Sequence, residues 1–226
     1  MINVQFKHTT FSNTLVNDVC NRHLHIVADD DNPARPDRYW IVSNTGTQLY
    51  TYGTRNRHDS STMPAQINGI AVEPQIRTGD ITYHGPGQLG WLWIINYRRL
   101  LRQYGKDLNM PILMQYVCTA VNAEFSETLQ SDLRDPGLYR PTGEKILSYG
   151  IDMPGVSWMA IKLSLNLHVD LSVYNNATIC GIENRAMGNL LPSLPDLNTQ
   201  AQLSESITRR VWDQIYTEYQ ITDWAD

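Results

Sequence analysis

The chain has 226 residues, 18 basic and 23 acidic side chains and a net charge of −5, long enough for one sizeable core or two small ones. The acidic balance, with no basic run and no basic helix face, argues against nucleic acid as a partner. Three cysteines (Cys20, Cys118, Cys180) with no Cys-x-x-Cys spacing argue against a disulfide framework and against a metal site.

From the amino terminus, the first ten residues hold no apolar h-region, so no secretory signal is expected. Leu15 and Val19 have helical spacing and predict an early surface helix that carries Cys20. Arg38 to Ser43 (RYWIVS) reads as a strand, and Asn56 to Pro64 as an exposed, turn-rich loop. Next comes Arg77-Thr-Gly-Asp-Ile-Thr-Tyr-His-Gly-Pro-Gly-Gln-Leu89, a polar strand that runs through Tyr83-His84 into a Gly-Pro-Gly corner. Glycine admits close approach to the main chain and proline fixes one corner angle. A rigid loop with an imidazole, a phenol and bare amides beside it is expected, a setting suited to a small-molecule or acyl pocket. Ile81 to His84 and Leu89 to Tyr97 are the strands on either side. Leu89 to Ile95 is the longest strongly apolar stretch and is too short to cross a bilayer.

Asn109 is a fitting N-cap and Pro111 stands near the first helical position. Leu113, Val117, Val121 and Phe125 continue at helical spacing, with Cys118 on the apolar flank as core filler. Lys145-Ile-Leu-Ser-Tyr-Gly150 reads as a strand headed by a lysine. Met159, Ile161, Leu163, Leu165, Leu167, Val169 and Leu171 alternate with polar or small residues, which predicts one long strand with an apolar and a polar face. Leu190 to Thr199 holds two prolines and should be irregular; Ser204 is expected to cap a last helix with Ile207, Val211 and Ile215 inside. Helices and strands do not alternate strictly, so an α+β fold with a mixed sheet flanked by helices is expected, as one domain over residues 1–226.

Two side chains stand out chemically. Cys180 precedes Gly181 in a break after the long strand, off any apolar helix face. A free thiol with a pKa near ~8.5 is only slightly ionised at neutral pH and needs a cation or base beside it. Lys145 is the best partner if it is buried: charged, it stabilises a thiolate; neutral, it accepts a proton.

RTGDITYHGPGQL, GEKILSYG, SLNLHVDLS and the Cys-Gly of TICG follow the order and spacing of the lipoyl(octanoyl) transferases, and the chain resembles that family over about residues 77 to 188. The resemblance implies the catalytic-domain fold of biotin and lipoate protein ligases. It implies transfer of an octanoyl group from octanoyl-acyl carrier protein to a lysine of a lipoyl domain. The acceptors implied are lipoyl domains of 2-oxoacid dehydrogenases and the glycine cleavage H protein. Cys180 is then the nucleophile and Lys145 the base or thiolate stabiliser. Arg77, Thr78, Gly79, Asp80, Ile81, Thr82, Tyr83 and His84 line the acyl site, with Ser148, Tyr149, Gly150, Lys162, Leu163 and Ser164. Exchange of one thioester for another is nearly isoenergetic and amide formation is downhill, so no ATP and no cofactor are expected; a Walker-type loop is absent from the sequence. Burial of the octanoyl tail at ~0.8 kcal/mol per methylene contributes on the order of 5 kcal/mol. A cytoplasmic monomer without membrane contact is expected.

The sequence departs from the family pattern in four places. Thr78 replaces the first of two glycines, and Ile179 replaces the proline before the cysteine. The family's His-Gly ahead of Ser164-Leu165-Asn166 is missing, as is its Glu-His-Pro near Ser43 to Thr47. An ATP-dependent lipoate ligase, an amidotransferase of the same fold and a catalytically silent binding module are the alternatives.

Overall fold

The computed structural model describes residues 5–10, 38–43, 48–54, 63–75, 81–98, 101, 109–132, 135–152, 157–175 and 186–219. In chain order the strands are β1 (Gln5–Thr10), β2 (Arg38–Ser43), β3 (Leu49–Gly53), β4 (Gln66–Ile67), β5 (Ile70–Gln75), β6 (Thr82–His84), β7 (Gln88–Asn96), β8 (Gln130–Asp132), β9 (Gly137–Tyr139), β10 (Lys145–Asp152) and β11 (Trp158–Asn166). A seven-stranded sheet runs β1-β2-β7-β11-β10-β9-β8, and a four-stranded sheet runs β4-β5-β3-β6. In the large sheet β1 lies parallel to β2 and the other neighbours are antiparallel. Both sheets are mixed, because β3 and β5 are also parallel. This is the expected α+β arrangement.

Among the described residues the two long helices are α1 (Met110–Phe125) and α2 (Leu197–Tyr219). Asn109 caps α1: its side chain accepts a hydrogen bond from the Ile112 N–H at 3.1 Å, and Pro111 occupies the first turn, where its missing donor leaves nothing unpaired. Leu113, Val117 and Val121 of α1 pack with Ile207, Val211, Trp212 and Ile215 of α2 against Leu89, Trp91, Trp93 and Ile95 of β7 and Met159, Ile161, Leu163 and Leu165 of β11. Both helices therefore cover one face of the large sheet. Cys118 lies in this core as expected; its thiol donates to the Leu129 carbonyl at 3.1 Å, and burial pushes its pKa up.

Two expectations are corrected. Ser204 is not a cap: it sits fully buried inside α2. Asp196 takes that part, accepting the Thr199 N–H at 2.8 Å, and lets the helix start directly after the second proline. The long strand stops at Asn166 rather than Leu171. The Gly87 carbonyl accepts the N–H groups of both Leu167 and His168 at 3.0 Å, which turns the chain out of the ladder. Residues Leu171–Tyr174 then form a 3-10 turn capped by Asp170. The apolar alternation persists past the turn because Val169 and Val173 enter a second core, with Tyr50, Ile81, Tyr83 and Tyr174. On the polar face of β11, Trp158, Ala160 and Asn166 are buried, and Lys162 and Ser164 are half-buried.

β2 matches the expected strand at both ends. β6 and β7 flank the Gly-Pro-Gly corner, and the corner carries the chain from the small sheet into the large one. The early helix around Leu15, Val19 and Cys20, and most of the loop from Asn56 to Pro64, lie outside the described residues. Among the described residues, no helix is long and apolar enough to cross a membrane.

Candidate active site

Strand register decides which side chains share the face away from the helices. Ser148 lies opposite Ser164 and Gly150 opposite Lys162, while Lys162, Ser164 and Asn166 lie opposite Leu92, Gly90 and Gln88. These positions alternate with the helix-side core residues of the same strands. Tyr149 and Leu163 pair with each other on the helix side and pack in that core. The six residues placed in the site from β10 and β11 thus divide: Ser148, Gly150, Lys162 and Ser164 share the open face, and Tyr149 and Leu163 support it from behind.

Lys145 reaches the open face through a bulge. The register shifts between Lys145, opposite Tyr139, and Leu147, opposite Leu138. One extra residue lets Ile146 and Leu147 both enter the helix-side core, and leaves Lys145 beside Tyr139 on the other face. Gly137, opposite Ser148, makes the room: a Cβ there would fall 2.5 Å from the Lys145 Cε and 2.5 Å from the Leu147 carbonyl oxygen.

The lysine side chain is 1% exposed. A buried ammonium is expensive unless it is paired and hydrogen-bonded. Its Nζ donates to Asp135 Oδ1 at 2.9 Å and stands 5.6 Å from the centre of the Tyr139 ring. The Tyr139 hydroxyl donates to the other carboxylate oxygen, Oδ2, at 2.5 Å, and lies 2.8 Å from the Asp135 carbonyl. Lysine, carboxylate and phenol form one connected group.

The segment that follows Cys180 in sequence meets β10 at this lysine. The Lys145 N–H donates to the Ala186 carbonyl and the Gly188 N–H to the Lys145 carbonyl, each at 3.0 Å, with Met187 in a parallel bridge to Lys145. Gly188 is pressed onto the strand; a Cβ there would lie 2.7 Å from Ile146 Cδ1. The Met187 side chain packs against the Tyr50, Tyr83 and Tyr174 core.

The Gly-Pro-Gly corner is tied down rather than bare. The Gly85 N–H donates to Gln88 Oε1 at 3.1 Å, and Gln88 Nε2 donates to Asn166 Oδ1 at 3.0 Å and to the Tyr174 hydroxyl at 3.2 Å. Asn166 Nδ2 donates to the Gly188 carbonyl at 3.2 Å. This buried chain of bonds fixes the corner, the end of β11 and the 186–188 segment against one another. Gly87 has φ +87° and a Cβ on it would strike the His168 carbonyl at 1.9 Å, so only glycine fits.

Of the Arg77 to His84 stretch, Arg77, Thr78, Gly79 and Asp80 lie outside the described residues, as does Cys180. Ile81 and Tyr83 are buried in the small-sheet core; Thr82 and His84 are half-buried. His84 Nε2 is 3.0 Å from Thr51 Oγ1. Tyr83 stacks edge-on against Tyr50 and Tyr174 at 5.4 and 5.5 Å between ring centres. Burial pushes the Tyr83 phenol up to about 12, only partly offset by a hydrogen bond with Gln48. Burial raises Tyr50 and Tyr174 as well. All three phenols stay protonated at neutral pH.

Sequence reasoning missed Asp135, Gly137 and Tyr139. Their signal was present in Asp135-Pro-Gly-Leu-Tyr139, a turn that opens a short strand just ahead of Lys145. Among the described residues, no cluster of histidine, cysteine, aspartate or glutamate is arranged to hold a metal ion.

Residues 24–211 match the family model of the lipoyl protein ligase A/B catalytic domain. The octanoyltransferase of Erwinia tasmaniensis is 31% identical over 173 residues, which cover 76% of this chain and 73% of that one. Among solved structures, the bipartite lipoate protein ligase of Thermoplasma acidophilum superimposes with a TM-score of 0.65 at 11% identity, over 100% of this chain and 87% of that one. The biotin protein ligase of Aquifex aeolicus, in complex with biotin and ATP, gives a TM-score of 0.51 at 8% identity over 98% and 73%. At these identities the structural likeness is one of fold.

Proposed function

Since the chain belongs to the lipoyl protein ligase A/B catalytic-domain family, we propose that it is an octanoyltransferase of protein lipoylation that works through a cysteine thioester. The donor is octanoyl-acyl carrier protein. The acceptors are lysines on lipoyl domains of 2-oxoacid dehydrogenases and on the glycine cleavage H protein. The enzyme acts in the cytoplasm as a monomer, with residues 1–226 as one catalytic domain. Cys180 is the nucleophile and Lys145 its cation.

One observation carries the reading: Lys145 is buried on the face of the sheet that the helices leave open, and Ala186 and Gly188, six and eight positions after Cys180, are hydrogen-bonded to the lysine's own backbone. The acyl site is drawn from residues 77–84 together with Ser148, Gly150, Lys162 and Ser164 on that face, backed by Tyr149 and Leu163.

The reaction has two halves. In the first, the Cys180 thiolate bonds to the octanoyl carbonyl carbon as the carrier's carbon–sulfur bond breaks, and Lys145 gives a proton to the departing carrier thiolate. In the second, the acceptor's amine nitrogen bonds to the same carbon, the bond to Cys180 breaks, and the proton lost by the amine returns to Lys145. The net change is one thioester and one amine to one amide and one thiol. The ammonium stabilises the thiolate at both ends of the cycle.

Incubation with octanoyl-acyl carrier protein and no nucleotide, followed by intact mass spectrometry, tests this. An octanoyl adduct that maps to Cys180 and is released by hydroxylamine is expected. Cys180→Ala abolishes adduct and transfer, and Cys118→Ala keeps both. Transfer that requires ATP and survives Cys180→Ala would instead make the protein a ligase.

A further inference from the structure

Lys145 does not stand alone. Its ammonium is held by the carboxylate of Asp135, 12% exposed and anchored in turn by the Tyr139 hydroxyl. Of the other charged groups described nearby, the exposed Asp132 lies on β8 opposite Gly137, and others are engaged elsewhere or farther along the face. Arg140 donates to Glu127 Oε1 at 2.8 Å and to the Asn189 carbonyl at 2.9 Å. Glu144 accepts from the Thr142 hydroxyl, and Lys162 is on β11, opposite Gly150. Among the described residues of β9 and its turn, Asp135 and Tyr139 face the Lys145 amine.

We infer that Asp135 is the positioning residue that keeps Lys145 charged and aimed, with Tyr139 as its clamp, so that the carboxylate governs how readily Cys180 ionises. The inference rests on the thioester reading above. The physical reason is desolvation. A lysine that is 1% exposed loses most of its hydration, and a carboxylate 2.9 Å away replaces it. Neutralise that carboxylate and the amine sheds its proton or swings away, and Cys180 loses its cation. Gly137 fits the same design, since any side chain there would collide with the lysine stem.

The test reads Cys180 directly. The rate of iodoacetamide alkylation at Cys180, mapped by peptide mass spectrometry across pH, gives the midpoint of thiolate formation whether or not octanoyl transfer occurs. Asp135→Asn is expected to raise that midpoint, as Lys145→Met does, and to slow transfer by about tenfold or more. Asp135→Glu restores part of both. Tyr139→Phe shifts the midpoint in the same direction by less. In the Lys145→Met background, Asp135→Asn adds nothing, because the two act as one unit. An unchanged or lowered midpoint in Asp135→Asn, or full additivity with Lys145→Met, would overturn the inference. A wild type that shows this coupling yet forms no octanoyl adduct would refute the thioester reading and leave the positioning role standing.

Discussion

The two faces of the large sheet are built by different rules. Under α1 and α2, apolar side chains from β7, β10 and β11 interlock, and each contributes through area and fit. On the other face the polar groups around the lysine and the Gly-Pro-Gly corner hold named partners: Gln88 with Gly85 and Asn166, Asn166 with Gly188, Lys145 with Asp135. The first face distributes its stabilisation over many side chains. The second concentrates it in single contacts, because each desolvated polar atom needs its own replacement for water. Changes on the first face should therefore move stability, and changes on the second should move chemistry.

The largest effect expected from this contrast is on the helix side. Trp93 is fully buried and meets Trp212 edge-on, 5.8 Å between ring centres. Trp93→Ala is expected to destabilise the fold by about 3–5 kcal/mol, measured by chemical denaturation. At temperatures where the variant stays folded, the midpoint of Cys180 alkylation should match that of the wild type. A shifted midpoint would show that the two faces are coupled after all.

Gly137→Ala probes the other face with one carbon. The new Cβ meets a backbone oxygen and the lysine stem, both at 2.5 Å, so strand or lysine must shift. Octanoyl transfer is expected to fall by about tenfold or more, while overpacking lowers stability by only about 1–3 kcal/mol. Activity that follows stability, with no further loss, would erase the distinction between the faces.

This asymmetry also explains what could be read from the residues alone. The period of two in β11 and the spacing of Leu113, Val117 and Val121 report apolar burial, which is a local pattern, and those elements form where the pattern puts them. The end of β11 is not local. The Gly87 carbonyl sets it, from a segment far away in the chain, and the alternation runs on because a second core takes over. Ser204 and Asp196 are both good caps by residue type; only packing shows that Ser204 faces the core. Lys145 announces itself as a lysine before an apolar run, but its burial depends on a bulge and on the bare Cα of Gly137. Asp135 is invisible as a partner until β9 folds back on β10. The positions of Arg77, Thr78, Gly79, Asp80 and Cys180 lie outside the described residues, so the nucleophile rests on its motif and on the segment that follows it.

The smallest effect is expected at alkaline pH, where the aromatic cluster of the small-sheet core titrates. The Tyr83 phenol is raised from 10.0 to about 12, chiefly by burial. The fold therefore prefers the neutral phenol, and the unfolded chain ionises first. Stability linked to this group is whole below pH 10 and is lost as pH climbs from 10 through about 12, because over that window the unfolded state has shed a proton that the folded state still holds. Lysines titrate in the same range, so the wild-type curve alone does not isolate the phenol. Tyr83→Phe does: it keeps the ring against Tyr50 and Tyr174 and removes the proton. Denaturation midpoints from about pH 9 to about pH 12 should fall less steeply for Tyr83→Phe than for the wild type. Tyr50 and Tyr174 share the direction of shift and keep part of the slope. The Trp93→Ala curve should run parallel to the wild type, displaced but not tilted, because that side of the sheet lost area and not a proton. Parallel curves for Tyr83→Phe would mean that its hydroxyl is wet in solution and that the small-sheet core is looser than its ring contacts imply.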